Sequence, residues 1–294
     1  MAATVPPAWP KSGRAGRRAP RSRSRWRRAS PTAGSPTCWP TWPRREHIDT
    51  SGPPRIGVSG PPGRGGPQLI PRPDGWRPGD PAPWAGVADR TLTLDRVLAA
   101  VEGRQPAGVR GRQHTGEEQA AGVLVALYDD DGPHVVLTRR SPRLASHTHE
   151  VSFPGGRHDA DDPDLWSTAL REATEETGLG PTVPRLVGHL DLLTTVGSGS
   201  IIHPFVALLP GRPDLVANPD EVEAVLHVPL AELLLDGVYR EEEWDFPGGP
   251  WRITFFELVG DTVWGATAAM LRQLLCLTLG VDDPLGYVRV DGDA

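Results

Sequence analysis

One stretch, residues 155–179, constrains this chain more than any other, and it reads GGRHDADDPDLWSTALREATEETGL. Within it, Asp162 is a good helix N-cap and Pro163 suits the first helical position. Gly178 suits the end of a helix, because glycine adopts the left-handed backbone conformation there. The pattern therefore predicts a helix over residues 163–177.

Three glutamates of this helix fall on one face, because Glu172, Glu175 and Glu176 are spaced i, i+3 and i+4. An opposite apolar stripe can bury against a sheet: Leu165, Trp166, Ala169, Leu170 and Ala173. Like charges so close together repel each other unless a cation lies among them, and oxygen ligands suit Mg²⁺ or Mn²⁺. We therefore interpret the three glutamates as metal ligands. A solvated acidic surface is the alternative that a Glu-rich helix by itself favours.

The same residues resemble the sequence box of the Nudix hydrolase family, whose general form is G-x5-E-x7-R-E-U-x-E-E-x-G-U, where U is aliphatic. The second half of the box matches from Arg171 to Leu179. The first half departs from it, because Gly156 lies one residue farther from Arg171 than the pattern allows. The first Glu of the box falls in a run of aspartates, Asp159, Asp161 and Asp162. This GGxxDxxD opening is similar to the branch of the family that cleaves coenzyme A.

A second signature lies upstream of the box. VLTRRS at residues 136–141 and VSFPGG at residues 151–156 are similar to the LLTxRS and FPGG segments of the coenzyme A pyrophosphatase branch. Where that signature carries Arg and Gly, this chain has Ala145 and His149. The resemblance implies substrate contacts from these segments, with the candidates Arg139, Arg140, Ser141, Phe153, Gly155 and Gly156.

The rest of the chain alternates between predicted strands and helices. Apolar runs predict strands over residues 121–128, 134–139, 183–195, 201–208 and 252–258. Helical periodicity predicts helices over residues 92–103 and 263–279. The segments NPDEV and WGATA also resemble the coenzyme A branch, and the family implies an α/β fold, an α/β/α sandwich with a mixed β-sheet.

Charge separates the N-terminal part from the remainder. Residues 1–45 hold one Lys, ten Arg and no acid, so the formal net charge of −6 divides into +11 there and −17 elsewhere. Pro and Gly dominate onward to about residue 88, a composition that cannot build a core. We expect a disordered extension at 1–87, a Nudix domain at 88–285 and a tail at 286–294. A transit peptide, a nucleic-acid contact and a start site farther downstream are alternative interpretations of the extension.

The resemblance implies a metal-dependent pyrophosphatase that uses Mg²⁺ or Mn²⁺ and cleaves coenzyme A, or an acyl derivative, to 3′,5′-ADP and a 4′-phosphopantetheine. Glu172, Glu175 and Glu176 are the expected metal ligands and catalytic residues, and Arg171 is expected to orient one of these carboxylates. Another nucleoside diphosphate derivative, such as ADP-ribose or a dinucleotide, is an alternative substrate, and a Nudix-like module that binds a nucleotide without cleaving it is an alternative function. A general base is also required, and Glu176, Glu221 and the run Glu241, Glu242 and Glu243 are its candidates.

The expected partner is a small nucleoside diphosphate derivative, and a homodimer is left open. The chain carries two cysteines, Cys38 and Cys276, too few for a disulfide framework, which favours a reducing compartment and the cytoplasm. No apolar run is long enough to span a bilayer, so no membrane partner is expected. The arginine-rich N-terminus is the only feature that favours nucleic acid, and we do not assign such a partner.

Overall fold

In the computed structural model of the protein, the fold is described for residues 63–111, 118–144, 147–195, 199–246 and 249–283. The α-helices are α1 (Leu94–Val101), α2 (Leu165–Thr177) and α3 (Gly265–Leu279), and a 3₁₀ helix spans Leu230–Leu234. The strands are β1 (Arg77–Pro78), β2 (Val109–Gly111), β3 (Gln119–Asp129), β4 (Pro133–Arg140), β5 (Val151–Ser152), β6 (Gly155–Arg157), β7 (Arg185–His189), β8 (Leu192–Thr194), β9 (Ser200–Leu208), β10 (Val222–Pro229), β11 (Tyr239–Phe246), β12 (Gly249–Glu257) and β13 (Thr262–Trp264). None of the helices in these residues is both long and apolar enough to cross a membrane.

A nine-stranded mixed sheet forms the centre of the described fold, in the order β10-β4-β3-β9-β8-β2, with β5 on β4, β6 on β3 and β7 on β9. Strand β3 runs parallel to β9 and antiparallel to β4. A second, antiparallel sheet has four strands in the order β1-β11-β12-β13. Strand β3 thus lies at the centre of the fold: it pairs with β4 and β9, and α2 packs against it.

Strand β3 is buried on both faces. Successive side chains of a strand point in opposite directions, so alternate residues of β3 pack in two different cores. Leu124 and Ala126 pack in the core beneath α2, together with Ala169 of that helix. Val125 and Leu127 pack in the larger core, which α1, α3 and the second sheet cover. The predicted α/β class, a mixed sheet with helices on both faces, is confirmed.

Helix α2 begins two residues later than the sequence predicts. Its N-cap is Asp164, whose side chain accepts a hydrogen bond from the Ser167 backbone N–H at 2.7 Å. Asp162 was the predicted cap, but it lies outside the helix and binds Arg171 instead. The predicted end is correct, because Gly178 adopts φ 70.

Two other segments differ from the sequence-based expectation. Strand β11 was not predicted, because its EEE run lacks the apolar alternation that marks a strand; arginines from other segments pair with its glutamates. Residues 263 and 264 belong to β13, so the last helix begins at Gly265 and not at Val263.

The expected disorder is wrong for residues 63–87. Trp84 is 1% exposed, stacks on Phe256 and meets Tyr239 edge-on. Strand β1 pairs with β11, and Gln68 is buried. This segment folds because a large aromatic side chain and a buried amide anchor a backbone otherwise rich in Pro and Gly. Residues 1–62 and the predicted tail at 286–294 lie outside the described residues.

Removing the anchor of this segment is expected to destabilise the whole domain. We expect Trp84→Ala to lower the free energy of unfolding by about 3–5 kcal/mol, because it leaves a cavity the size of an indole. Leu69→Ala is the matched control in the same segment, since Leu69 is 79% exposed, and it should change stability by less than about 0.5 kcal/mol. Urea denaturation of the wild type and the two variants measures the free energy of unfolding. The same measurement on a chain lacking residues 1–62 shows whether those residues contribute to it. Equal stability of Trp84→Ala and wild type would show that residues 63–87 do not belong to the cooperative fold.

Candidate active site

The three glutamates of α2 lie on the side of the helix that faces β6, but their environments differ. Glu175 has half of its side chain exposed, whereas 19% of the Glu172 side chain is exposed. Glu176 is 4% exposed, and its Oε2 accepts a single hydrogen bond, from the Gly155 backbone N–H at 3.3 Å. The predicted acidic face is therefore present, with Glu176 buried, Glu172 mostly buried and Glu175 half exposed.

Arg171 links the outer part of this face. Its Nη1 lies 2.9 Å from Glu172 Oε1 and 3.1 Å from Glu175 Oε2. On the other side, its Nε and Nη2 donate to both carboxylate oxygens of Asp162, each at 2.9 Å. These hydrogen bonds raise the pKa of Arg171 and hold the pKa of Asp162 far below its usual range. Arg171 thus pairs with carboxylates, as the sequence predicts.

Asp162 is a site residue that the sequence argument assigned to a different role. The N-cap pattern fits Asp162 and Asp164 equally well, and only the contact with Arg171, nine residues away, separates them. Its Oδ2 also accepts a hydrogen bond from the Thr168 hydroxyl at 2.9 Å. Asp162 therefore fixes the orientation of Arg171 and, through it, of Glu172 and Glu175.

Burial dominates the electrostatics of the inner carboxylates. It raises the pKa of Glu176 to about 8, although the Gly155 N–H and the charge of Arg140 act in the opposite direction. Burial also raises the pKa of Glu172, against the effect of Arg171. The charge of Glu221 adds to both increases. This residue precedes β10 in a segment that contacts α2, since the Asn218 N–H donates to the Glu176 carbonyl at 2.9 Å. The site concentrates negative charge that Arg171 compensates only in part.

The donor chemistry of this site fits a divalent cation. In the part of the chain that the structure describes, no three His, Cys, Asp or Glu side chains converge closely enough to enclose a metal ion. The available donors are all carboxylate oxygens, the type that Mg²⁺ and Mn²⁺ prefer. Glu176 forms no ion pair with any described residue, and a buried carboxylate without a counter-charge is costly. Glu172, Glu175 and Glu176 are thus the residues that would hold such an ion.

Two adjacent arginines at the end of β4 have different environments. Arg139 was a candidate substrate ligand, but its Nε and Nη2 donate to both oxygens of Asp261, at 2.7 and 2.6 Å. Its guanidinium is therefore occupied by the protein itself. Arg140 forms no ion pair with any described residue, and its Nε is buried without a hydrogen-bond partner there. Of these two arginines, Arg140 is the one that remains available to bind an anion.

Ser141 and Phe153 are structural in this fold, contrary to the expected substrate contacts. Ser141 is 2% exposed, and its hydroxyl donates to the Pro219 carbonyl at 3.2 Å while its N–H donates to the Glu221 carbonyl at 2.8 Å. It holds the segment that carries Glu221 against the end of β4. Phe153 is 2% exposed and packs in the larger core together with Val151. Neither side chain is free to reach a ligand.

Gly155 and Gly156 bring the backbone of β6 against the acidic face. A Cβ on Gly156 would lie 2.5–2.7 Å from the carboxylate of Glu172, and one on Gly155 would lie 2.4 Å from the Gly122 carbonyl oxygen. Gly155 also has φ 148, which side chains rarely permit. Because neither glycine has a side chain, β6 can approach α2 closely enough to contact Glu172 and Glu176. The Gly155 N–H donates to Glu176 directly.

The glutamates of β11 are not candidates for the general base. Glu241 forms an ion pair with Arg272 at 2.7 Å, and Glu242 pairs with Arg72 and Arg240. Glu243 pairs with Arg77 at 3.4 Å. All three belong to the second sheet, whereas Glu221 borders α2. The predicted set of bases is thereby reduced to Glu176 and Glu221.

Comparisons with known proteins identify relatives of this chain. The family model described as NUDIX domain matches residues 118–251. The chain is 37% identical over 188 residues to "Uncharacterized Nudix hydrolase NudL" of Klebsiella pneumoniae, which covers 64% of this chain and 96% of that protein. It is 38% identical over 166 residues to "Nudix hydrolase 15, mitochondrial" of Arabidopsis thaliana, covering 54% of this chain and 58% of that protein. Among solved structures, the NUDIX domain of Shewanella oneidensis NrtR complexed with ADP ribose is similar at a TM-score of 0.34 and 23% identity, over 40% of this chain and 76% of that chain.

Mg²⁺ or Mn²⁺ is expected to stabilise the metal-free protein through the α2 glutamates. A ligand that binds only the folded state at about 100 times its Kd adds about 2.7 kcal/mol. Glu172→Gln and Glu176→Gln should lose most of the resulting increase in Tm, because an amide cannot supply the negative charge that a carboxylate gives to the ion. Differential scanning fluorimetry after EDTA treatment measures it. Glu243→Gln on the second sheet is the control and should keep the full increase, and a full increase in Glu176→Gln would place the cation elsewhere.

Proposed function

Because this chain belongs to the Nudix hydrolase family, we propose that it cleaves the diphosphate linkage of coenzyme A or an acyl derivative, using the α2 glutamates and Arg140. The chain is a Nudix-type pyrophosphatase that acts on a nucleoside diphosphate derivative. Nudix hydrolases generally use divalent metal ions. The products of the proposed reaction are 3′,5′-ADP and a 4′-phosphopantetheine.

One observation carries this proposal: an acid without a counter-ion lies close to a cation without a counter-ion. Neither Glu176 nor Arg140 forms an ion pair with a described residue, yet the charge of Arg140 lowers the pKa of Glu176. Two such groups would normally pair directly with each other. Left apart, they suit a metal ion on the side of Glu176 and a phosphate on the side of Arg140.

The chain's own residues then divide the work of hydrolysis. Divalent cations, when bound, supply neutralisation of the diphosphate charge and lower the pKa of a water molecule. Arg171, fixed by Asp162, orients the carboxylates of Glu172 and Glu175. Arg140 binds and orients a phosphate group of the substrate, which brings the bridging oxygen to the acidic face.

Glu221 is the general base in this proposal. Glu176 is assigned to the cation, and the glutamates of β11 are occupied by arginines. Glu221 lies near the α2 carboxylates, and none of its hydrogen bonds within the described residues uses its side chain. It accepts a proton as the water oxygen bonds to one phosphorus, and the bridging P–O bond breaks with its electron pair leaving on the other phosphate.

Coenzyme A is favoured over other substrates by the signature upstream of the box. His149 occupies the position at which that signature carries Gly, and it adopts φ 62, a region that favours glycine. The turn that a glycine would allow is therefore kept although the residue differs. Ala145, the other departure, lies outside the described residues. The cytoplasmic location and the homodimer stay predictions from the sequence.

ADP-ribose or a dinucleotide is the second candidate substrate, because the acidic face binds the diphosphate that all of these molecules share. A module that only binds nucleotides is disfavoured by the uncompensated carboxylates, since nucleotide binding alone gives no reason to bury Glu176. Residues 1–62 lie outside this argument.

A substrate panel tests the proposed reaction. With Mg²⁺ or Mn²⁺ present, we expect coenzyme A to be converted to 3′,5′-ADP, and ADP-ribose and diadenosine polyphosphates to be cleaved at least about tenfold less efficiently in kcat/KM. Chromatography of the nucleotide products measures each rate. Intact coenzyme A together with consumed ADP-ribose would reject the first substrate and keep the chemistry. Cleavage of none of them would favour the binding module.

Glu221→Gln separates proton transfer from metal binding. We expect kcat to fall about 10²–10⁴-fold, because the variant keeps the shape of the side chain but cannot accept a proton. The Tm increase with Mg²⁺ should remain, unlike that of Glu176→Gln. Glu223→Gln is the neighbouring control on β10, and its kcat should change far less. An unchanged kcat in Glu221→Gln would exclude this residue as the base.

A further inference from the structure

We propose that Gln68, from the segment that precedes α1, is a positioning residue that sets the place of Arg140 and so the affinity for the substrate phosphate. This inference rests on the proposed role of Arg140. It extends the functional unit to a segment 87 residues before Gly155, outside the region matched by the family model.

Gln68 is buried, and both the nitrogen and the oxygen of its side-chain amide form hydrogen bonds. It is 8% exposed, and its Nε2 donates to the His149 carbonyl at 2.8 Å and to Asp261 Oδ1 at 2.9 Å. Its Oε1 accepts a hydrogen bond from the Thr262 N–H at 2.8 Å. A primary amide has two donor hydrogens, so both are satisfied, and the side chain is fixed in one orientation.

The first connection to Arg140 runs through the turn at residues 147–150. The His149 N–H donates to the Arg140 carbonyl at 3.1 Å, and the Arg140 N–H donates to the Glu150 carbonyl at 2.9 Å. His147 and His149 adopt φ 57 and φ 62, a left-handed conformation that is unfavourable for residues with a side chain. Such a turn must be held by its surroundings, and Gln68 holds it at the His149 carbonyl.

The second connection runs through Asp261. The same Gln68 Nε2 contacts Asp261 Oδ1, which also receives the Nε of Arg139 at 2.7 Å. Asp261 is 3% exposed, so this contact is screened little by water. Arg139 is the covalent neighbour of Arg140. Gln68 therefore restrains the end of β4 in two ways: through Asp261 it holds the side chain of Arg139, and through His149 it holds the backbone of Arg140.

The guanidinium of Arg140 has no partner within the described residues that could fix it instead. Its place is set by its backbone, which pairs with Val222 of β10 on one side and is tied through these two connections to Gln68 on the other. Loss of Gln68 should therefore weaken substrate binding more than the chemical step, which depends on the α2 carboxylates and Glu221.

A double-mutant cycle tests the inference on the full chain. We expect Gln68→Ala to raise KM about fivefold to tenfold for the substrate that the wild type cleaves, with kcat within about twofold. In an Arg140→Ala background, Gln68→Ala should raise KM no further, because the group that it positions is gone. The same fold increase in KM in the Arg140→Ala background as in the wild type would overturn the inference.

Gln273→Ala is the matched control. Gln273 is 1% exposed in α3, and its Oε1 accepts a hydrogen bond from the Asp191 N–H at 3.1 Å. Its loss should lower Tm to a similar degree but leave KM unchanged, because Asp191 lies near β8 and not near β4. An equal rise in KM in Gln273→Ala would show a general loss of stability and would overturn the inference.

Hydrogen exchange supplies a readout that needs no activity. Gln68→Ala should speed amide exchange at Arg140 and His149, whose N–H groups close the turn, and Gln273→Ala should not. Unchanged exchange at these amides would overturn the positioning role even if KM rises. If the wild type cleaves no diphosphate, the proposed function fails, and the exchange measurement still decides whether Gln68 holds the turn.

Discussion

Helix α2 can lie directly on the central sheet only because glycines occupy the points at which the backbones meet. A Cβ on Gly122 of β3 would lie 2.3 Å from a backbone oxygen of α2, and one on Gly156 would meet the carboxylate of Glu172. A third glycine, Gly155, places its N–H 3.3 Å from Glu176. The glutamates are therefore held against the sheet and do not extend into solvent. Their burial and mutual repulsion follow from this close contact.

The charges around the helix are arranged in an order that favours function over stability. Asp162 and Arg171 satisfy each other and hold Glu172 and Glu175, so the outer part of the face is well compensated. Glu176 receives one long hydrogen bond and no cation from the described residues, and burial raises its pKa to about 8. Burying a carboxylate in this way costs stability unless a partner is added. A fold selected for stability alone would place an apolar side chain there.

Local patterns predict the helix with its acidic face and the strands β3 and β4, because these depend on spacing within a few residues. The mixed sheet was expected only from the resemblance to the Nudix family. The start of α2 was predicted two residues too early, since Asp162 and Asp164 both suit an N-cap and only the structure shows that Asp164 is the one used. The glutamates of β11 were candidates for catalysis because their partners are far away in sequence, and the pair of Arg272 and Glu241 spans 31 residues. Residues 63–87 were expected to be disordered because composition averages over a segment and hides a single anchor such as Trp84.

The two arginines at the end of β4 differ in their partners, although they are adjacent in sequence. Adjacent residues of a strand point to opposite faces, so the sequence implies that only one of them faces α2. It does not show that Asp261, 122 residues away, binds Arg139 and leaves Arg140 unpaired. Folding does not require an unpaired guanidinium close to an unpaired carboxylate, and each is costly to bury alone. An anionic diphosphate and its cation, bound together, would satisfy both groups at once, which is why the site is best understood as incomplete without its substrate.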